Sequence, residues 1–192
     1  PAPPLRYYPL RIEPPTGPGV APGPTADGPP TGPPTSPAVW QLMLPVRMPE
    51  YLDRDTLWAA AGSGGLQPLD GQRWAEPLRS AVPRVLAHDL GVWHGAGQVW
   101  AGAAPAGMVV ARQWRLELLE FAPGPGRVRL RARWSASDPQ GASPTQAGEA
   151  DIEAPIAGPR PDQLVDAHRL ALWRLAERMA RAATPSPPSP RS

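Results

Sequence analysis

Residues 110–136 read VARQWRLELLEFAPGPGRVRLRARWSA, and this stretch decides the fold. Its last ten residues alternate arginine with apolar or small side chains, as a β-strand with one buried face does. Its first part places Trp114, Leu116 and Leu118 on one face in the same way. The phase of the apolar residues changes near Leu119, which predicts a bulge or a strand end there. Because the intervening APGPG suits a tight loop, the stretch predicts an antiparallel hairpin.

An amphipathic helix is predicted before this hairpin. We expect it to begin near Asp70 or Gln72 and to end at Gly91, a residue that commonly follows the last helical turn. Pro77 is acceptable in a first turn, whereas Pro83 would kink a longer helix or divide it. The apolar stripe of this helix is Trp74, Leu78, Val82, Val85 and Leu86.

A second amphipathic helix is predicted over residues 161–182. Pro161 suits the first helical position, and the arginines near the other end interact favourably with the negative pole of the helix dipole. One face carries Leu164, His168, Ala171, Leu175 and Met179, with Leu172 beside them. On this face, His168 is expected to be a core residue whose hydrogen bonds are satisfied.

Three further segments have strand character. VWQLMLPV (39–46) alternates, which predicts that Trp40, Leu42, Leu44 and Val46 share a buried face. LRYYPL (5–10) could add a strand paired with it, and EADIEAPI (149–156) a last one. Strands with two amphipathic helices predict a two-layer α/β domain, with a mixed, mainly antiparallel sheet and both helices on one face.

Proline and glycine divide the chain into a folded body and tails. The sequence has 31 prolines and 19 glycines, yet 41% of its residues are hydrophobic, close to a globular domain. We expect an N-terminal segment (1–12), a Pro/Gly-rich disordered or polyproline-like linker (13–37), an α/β domain (38–183) and a disordered Pro-rich tail (184–192). The proline-rich segments could instead be ligands of a recognition domain, although spacers are the commoner use.

Composition limits the functional classes. All 19 basic residues are arginine and the formal net charge is +2, so charge alone does not indicate nucleic acid or an anionic membrane. The sequence has no cysteine, which excludes disulfides, thiolate metal sites and thiol nucleophiles within it. No window reaches the roughly 18–20 apolar residues of a membrane-spanning helix. The sequence starts at Pro1, so a signal peptide or a lipid-anchor segment could precede it.

No catalytic or metal-binding pattern stands out. His88, His94 and His168 lack the spacing of paired metal ligands, and no nucleophile elbow or phosphate-binding glycine loop is present. Asp53 and Asp55 flank Arg54, which is more typical of a capped turn or a local salt bridge than of an acid–base pair. We therefore expect no enzyme activity, no cofactor and no metal.

The strongest charge feature is the arginine ladder, Arg127, Arg129, Arg131 and Arg133. Its period of two places all four guanidinium groups on one side of a strand, where they could meet phosphates, lipid headgroups or an acidic partner. The alternative, which we favour, is a solvated strand face paired with Glu117 and Glu120 across the hairpin. Nucleic-acid binding is not favoured, because Trp114 and Trp134 fall on the apolar faces.

Five segments in a fixed order resemble one known family. They are RYYPL (6–10), LMLPVRMPEYLDRDTLW (42–58), RWAEPLRSAVPRVLAHDL (73–90), WRLELLEF with RVRLRARW (114–134), and LVDAHRLALWRLAERMA (164–180). In this order they resemble the ABC-type transport auxiliary lipoproteins, the family of paraquat-inducible protein C. The resemblance covers most of residues 5–182. The chain departs from the family in lacking the lipidated cysteine and in its enlarged proline-rich segment.

The resemblance implies a periplasmic lipoprotein, held at the outer membrane by a lipidated cysteine upstream of residue 1. It implies partnership with a mammalian-cell-entry (MCE) type lipid-transport protein and its inner-membrane complex, and a homo-oligomeric ring. On this basis we expect a non-enzymatic accessory that acts through protein contacts. The candidate contact residues are Tyr51, Leu52, Asp53 and Arg54, expected to be exposed beyond a strand, and the arginine ladder. The alternative is a soluble module that binds a small molecule or a lipid between the sheet and the helices.

Overall fold

The computed structural model of the chain describes residues 4–17, 20–23, 38–62, 64–94 and 99–183. Within these ranges it contains eight strands, two α-helices and a 3-10 helix at Glu50–Asp53. The strands and α-helices are β1 (Arg6–Tyr8), β2 (Ala38–Leu42), β3 (Thr56–Ala60), β4 (Leu66–Trp74), α1 (Leu78–His94), β5 (Val99–Ala101), β6 (Val109–Gly124), β7 (Arg127–Ser137), β8 (Gln146–Pro155) and α2 (Pro161–Ala183).

The strands form two mixed sheets. The larger sheet has the order β5-β2-β6-β7-β8, in which β5, β2 and β6 run parallel and β6, β7 and β8 antiparallel. The smaller sheet has the order β1-β4-β3. Helix α2 packs on β7 and β8, while α1 packs against α2 and β5. The two-layer α/β fold is confirmed, although the strands divide into two sheets.

The predicted hairpin is confirmed. The whole of β7 pairs with residues 113–124 of β6, and the register shifts between Leu118 and Glu120, where the bulge was predicted. The turn ends at Gly126, whose φ of +70° lies in the left-handed region that favours glycine. All the apolar residues that alternate with the arginines of β7 are buried, so one face of the hairpin lies in the core.

Helix α2 is also confirmed. It begins at Pro161, as predicted, and extends one residue further, to Ala183. The whole predicted stripe is buried, and Leu172, Leu175 and Met179 are completely enclosed.

The predicted start and end of α1 are wrong. Residues 66–74 form β4, and the helix starts only at Leu78. Pro77 explains the boundary, because a proline disfavours helical backbone in the residue before it and is well placed at a helix start. Trp74 is therefore the last residue of β4, and its side chain enters the core from that strand. The helix also continues beyond Gly91 to His94 and runs through Pro83 without being divided.

Two strand predictions need correction. Strand β2 ends at Leu42, so Leu44 lies outside it and is 48% exposed, while Val46 is buried. Strand β1 does not pair with β2 but runs parallel to β4 in the smaller sheet. Residues 13–37 therefore do not connect two paired strands.

Part of the predicted linker lies against the helices. Within it the structure describes residues 13–17 and 20–23, and these two pieces contain no helix or strand. Trp173 donates its indole N–H to the carbonyl of Ala21 at 3.1 Å. The rest of the linker and the predicted tail from residue 184 lie outside the described residues.

A buried ion pair joins the two helices to the N-terminal segment. Asp89 of α1 accepts two hydrogen bonds of 2.6 Å from Nη1 and Nη2 of Arg169 on α2. Nη2 also donates to the carbonyl of Ile12 at 3.0 Å, and Nε to that of Glu13 at 3.1 Å. Asp89 is fully buried and Arg169 nearly so. Burial raises the pKa of Asp89, while Arg169 acts in the opposite direction.

His168 is confirmed as a core residue. Its ring lies edge-on to Trp74 and Phe121, with centroids 5.3 and 4.9 Å away, and Nδ1 donates to the carbonyl of Leu164 at 2.8 Å. Complete burial disfavours the imidazolium and lowers the pKa of His168 to about 4.

Removing one partner of the buried pair should destabilise the fold strongly. Arg169→Met leaves the Asp89 carboxylate buried without its counter-charge, so we expect the free energy of unfolding to fall by about 3–5 kcal/mol. The double variant Asp89→Leu/Arg169→Met, which removes both charges, should lose less than Arg169→Met alone. Urea unfolding of the three proteins measures this. A loss below about 1 kcal/mol for Arg169→Met would show that the pair is dispensable.

The buried histidine predicts a specific acid sensitivity. An unfolded histidine binds a proton near pH 6.5, but folded His168 remains neutral until about pH 4, so stability is lost as the pH falls between these values. From pH 7 to pH 5 this residue should cost about 2 kcal/mol. His168→Gln should lack this contribution, so the difference between the two proteins in urea unfolding should change with pH. Parallel pH profiles would contradict the assignment.

Candidate functional site

An open apolar groove of about 810 Å³ lies between α1 and the β5 edge of the larger sheet. Four small residues about one turn apart, Ser80, Pro83, Ala87 and Gly91, run along its helical wall, and Arg79, Arg84, His88 and Val92 of the same helix lie beside them. Its opposite wall is β5, and Leu44 and Pro45 close one end. A Cβ placed on Gly91 would meet no atom within 4 Å, so the wall leaves unfilled space above this residue.

Large apolar side chains are exposed at this groove. Trp100 on β5 is 40% exposed and Leu44 is 48% exposed, although both are large enough to stabilise a core. Single exposed apolar residues are ordinary, but these two line one concave surface. The surface has the character of a binding site for an apolar group.

The end of the groove near the start of α1 carries two arginines, each paired with a carboxylate. Arg79 pairs with Asp53 and Arg84 with Glu76, and all four side chains are partly exposed. Arg84 also donates to the carbonyl of Leu10 at 3.1 Å. Exposed ion pairs of this kind contribute little to stability, so their arginines can exchange one carboxylate for another at small cost.

The sequence predicted that the candidate segment Tyr51–Arg54 is exposed, but only part of it is. Leu52 is 3% exposed and belongs to the core. Tyr51 is half-buried, and its hydroxyl accepts the backbone N–H of Phe121 at 2.9 Å; burial raises the pKa of Tyr51. Asp53 and Arg54 are exposed, and Asp53 contacts the groove through Arg79. The exposed part of this segment is therefore smaller than predicted.

The arginine ladder forms its ion pairs with β8, not with the hairpin partners proposed from the sequence. Arg127 pairs with Glu153, Arg129 and Arg131 with Asp151, and Arg133 with Glu149, at N–O distances of 3.1, 2.6, 3.8 and 2.9 Å.

Glu117 and Glu120 lie opposite Arg133 and Arg131 in the register of the sheet. The ladder is bonded to β8 all the same: the hydrogen bonds from Arg129 hold the pKa of Asp151 below its ordinary value, and Asp151 raises the pKa of Arg129. The ladder is thus a solvent-facing, charge-balanced surface.

The two predicted surfaces lie in different parts of the fold. The ladder projects from the face of the sheet opposite the helices, because the alternate residues of β7 point into the core. The segment Tyr51–Arg54 contacts α1 and the end of β6. Only the latter adjoins the groove. Sequence reasoning missed the groove; its one local signal was Trp100, a tryptophan within a run of small residues.

The remaining histidines do not form a reactive cluster in the described ranges. His94 lies against Trp40 with ring centroids 3.5 Å apart, and burial, followed by the charge of Arg112, lowers its pKa. Over the same ranges, no three His, Asp or Glu side chains come together as a metal site requires. Neither helix of the described chain is long and apolar enough to cross a membrane.

Solved structures share this fold. A crystal structure of an uncharacterized protein superimposes with a TM-score of 0.63 and 15% identity, covering 79% of this chain and 95% of the other. A protein from Xanthomonas campestris gives a TM-score of 0.57 and 12% identity over 74% and 81%. A PelC dodecamer from Paraburkholderia phytofirmans reaches only 0.43, with 10% identity over 78% and 92%, and supports no conclusion about assembly.

Sequence comparison assigns the family. No curated protein matches the chain. However, the family model described as the ABC-type transport auxiliary lipoprotein component matches residues 24–180, which include α1, all but the last three residues of α2 and the whole larger sheet. The match extends over most of the chain and contains four of the five segments that carry the resemblance, all but RYYPL (6–10). This chain belongs to the family of ABC-type transport auxiliary lipoprotein components.

Proposed function

We propose that this protein is a non-enzymatic accessory lipoprotein of an MCE-type intermembrane phospholipid transport system driven by an ABC transporter. It works in the periplasm and is held at the outer membrane by a lipidated cysteine upstream of residue 1. Its partners are an MCE-domain protein with its inner-membrane complex, and further copies of itself in a ring. It acts by protein contacts, without a cofactor.

The observation that carries this proposal is the exposed apolar groove on a domain whose family serves a transport assembly. Partly exposed Trp100 and Leu44 would be a liability on a protein without a partner. Tryptophan is also among the residues that contribute most to protein–protein interfaces. An auxiliary component that docks on other proteins accounts for both features.

Two further surfaces are proposed for contact. Asp53 adjoins the groove through its ion pair with Arg79, and the exposed Arg54 follows it, while Tyr51 and Leu52 anchor the segment in the protein. The arginine ladder presents alternating charges on a flat sheet face, where it can set orientation and association rate more than affinity.

A deletion strain tests the transport role. We expect loss of the gene to increase the sensitivity of the outer membrane to detergent, and the tagged full-length protein to restore it. Cross-linking in cells, followed by pull-down, should recover an MCE-domain protein. Normal barrier function together with no MCE-type partner would reject the proposal.

The ladder is tested with the same assay. Arg129→Glu/Arg131→Glu should reduce recovery of the partner about tenfold if this face binds. Thermal unfolding of the charge-reversed protein, followed by circular dichroism, separates loss of contact from loss of folding. If the charge-reversed protein binds its partner and assembles normally, the ladder is not a contact surface.

A second candidate function is a small-molecule or lipid-binding module. The observation that favours it is also the groove, because its lining is mainly apolar and its volume suits a ligand. Organic extraction of protein purified from membranes, followed by mass spectrometry, would detect a bound lipid. Stoichiometric lipid would favour this function over a purely structural role.

A further inference from the structure

We propose that the groove between α1 and β5 binds an extended segment of a partner protein, which adds to β5 as a sixth strand of the larger sheet. The segment carries alternating apolar side chains and an acidic side chain at the end near Arg79 and Arg84. The inference deepens the proposed function by naming the contact and its chemistry, and it rests on the proposed function only in that the partner is a protein.

The first support is the backbone of β5. This strand pairs with β2 on one side, and among the described residues nothing pairs with its other side. Gly102 N–H donates to the carbonyl of Leu42 at 2.9 Å. Because alternate residues of a parallel strand direct their backbone groups to opposite sides, Val99 and Ala101 present theirs at the open edge. The edge therefore offers donors and acceptors that a new strand could pair with.

The second support is the space beside that edge. The small residues from Ser80 to Gly91 extend for about 16 Å along α1, the length of about five residues of extended chain. A strand added to β5 would direct every second side chain toward this wall. The groove would take up those side chains while the β5 backbone held the main chain.

The third support is charge. In the sheet register Trp40 lies opposite Val99, and it also contacts His94, so the end of α1 lies near the start of β5. The opposite end of the groove, beside Ala101, therefore has Arg79 and Arg84. Both arginines already bind exposed carboxylates, which an incoming acidic side chain can replace.

These observations favour a peptide over a lipid. An acyl chain could fill the apolar space, and an anionic headgroup could contact the arginines. It could not, however, pair with the backbone groups of Val99 and Ala101. The open strand edge is what distinguishes the two occupants, because only a polypeptide satisfies it.

Selection from a random peptide library tests the inference. Segments of about twelve residues, flanked at both ends so that no terminal carboxylate is present, are selected against the purified full chain. We expect enriched sequences to alternate apolar residues and to carry Asp or Glu toward one end. On binding of a synthetic, amidated winner, amide hydrogen exchange at Val99 and Ala101 should slow. N-methylation of alternate peptide amides should weaken binding by at least about tenfold.

Matched variants locate the site. Gly91→Leu fills the groove at a position with free space, and Ala101→Pro removes one open-edge N–H; each should weaken binding by at least about tenfold. Trp100→Ala should weaken it similarly. Met108→Ala, at a residue that is as exposed as Trp100 but outside the groove, should change it less than about twofold. The N-methylated peptide is tested on the unchanged protein. Its result therefore decides whether the peptide backbone pairs with β5 even if one of the variants does not fold.

Three results would overturn the inference. Binding that leaves exchange at Val99 and Ala101 unchanged would place the peptide elsewhere. Occupation of the groove by dihexanoyl phosphatidylglycerol, with no peptide selected, would make the ligand a lipid. Self-association in sedimentation that Gly91→Leu abolishes would make the occupant a second copy. All three use purified protein, so they are independent of the outcome of the deletion strain.

Discussion

The buried pair of Asp89 and Arg169 is the contact on which the helix layer depends. A charged pair in the interior costs desolvation free energy and is tolerated only when its remaining hydrogen-bonding groups are satisfied. Here Arg169 uses its other donors on the carbonyls of Ile12 and Glu13, so one guanidinium group fixes three segments. Apolar packing alone would allow α1 to slide by a turn against α2; a bidentate ion pair allows one register.

That register determines what α1 presents on its other side. Val82, Leu86 and Asp89 lie toward the protein interior, whereas the small residues Pro83 and Gly91 line the groove. The helix is therefore apolar on two faces, and the described residues of the chain fill only one of them. The exposed apolar groove follows from how the buried pair sets the rotation of α1.

The sequence predicted correctly those elements in which one residue pattern repeats many times along the same strand or helix. The alternation in β7 and the stripe in α2 each extend over enough residues to determine the element and its buried face. The predicted start of α1 was wrong because Trp74, Leu78 and Val82 have helical spacing although Trp74 belongs to a strand that ends before Pro77. The spacing arises by chance, since the end of β4 and the start of α1 both bury apolar residues. The predicted partners of the arginine ladder were wrong because both strands next to β7, β6 and β8, carry acidic residues. The sequence does not show toward which of these two strands the arginine side chains extend.

The groove could not be predicted, because its walls come from residues 44–45, 79–92 and 99–101, whose proximity is a property of the fold. Its position nevertheless has a simple geometric reason. Helix α2 lies over β7 and β8 and α1 reaches β5, so the groove lies where α1 meets the edge of the sheet.

The two edges of this sheet differ in a way that matters for function. Edge strands with unpaired backbone groups are usually protected by charged residues or proline, which discourage association with other chains. Strand β8 has such protection, with Glu149, Asp151 and Glu153 along it. Strand β5, Val-Trp-Ala, is short but carries neither a charge nor a proline, and the adjoining groove offers apolar contacts. Among the described residues nothing pairs with its outer side, so this is the edge of the sheet that is suited to a partner.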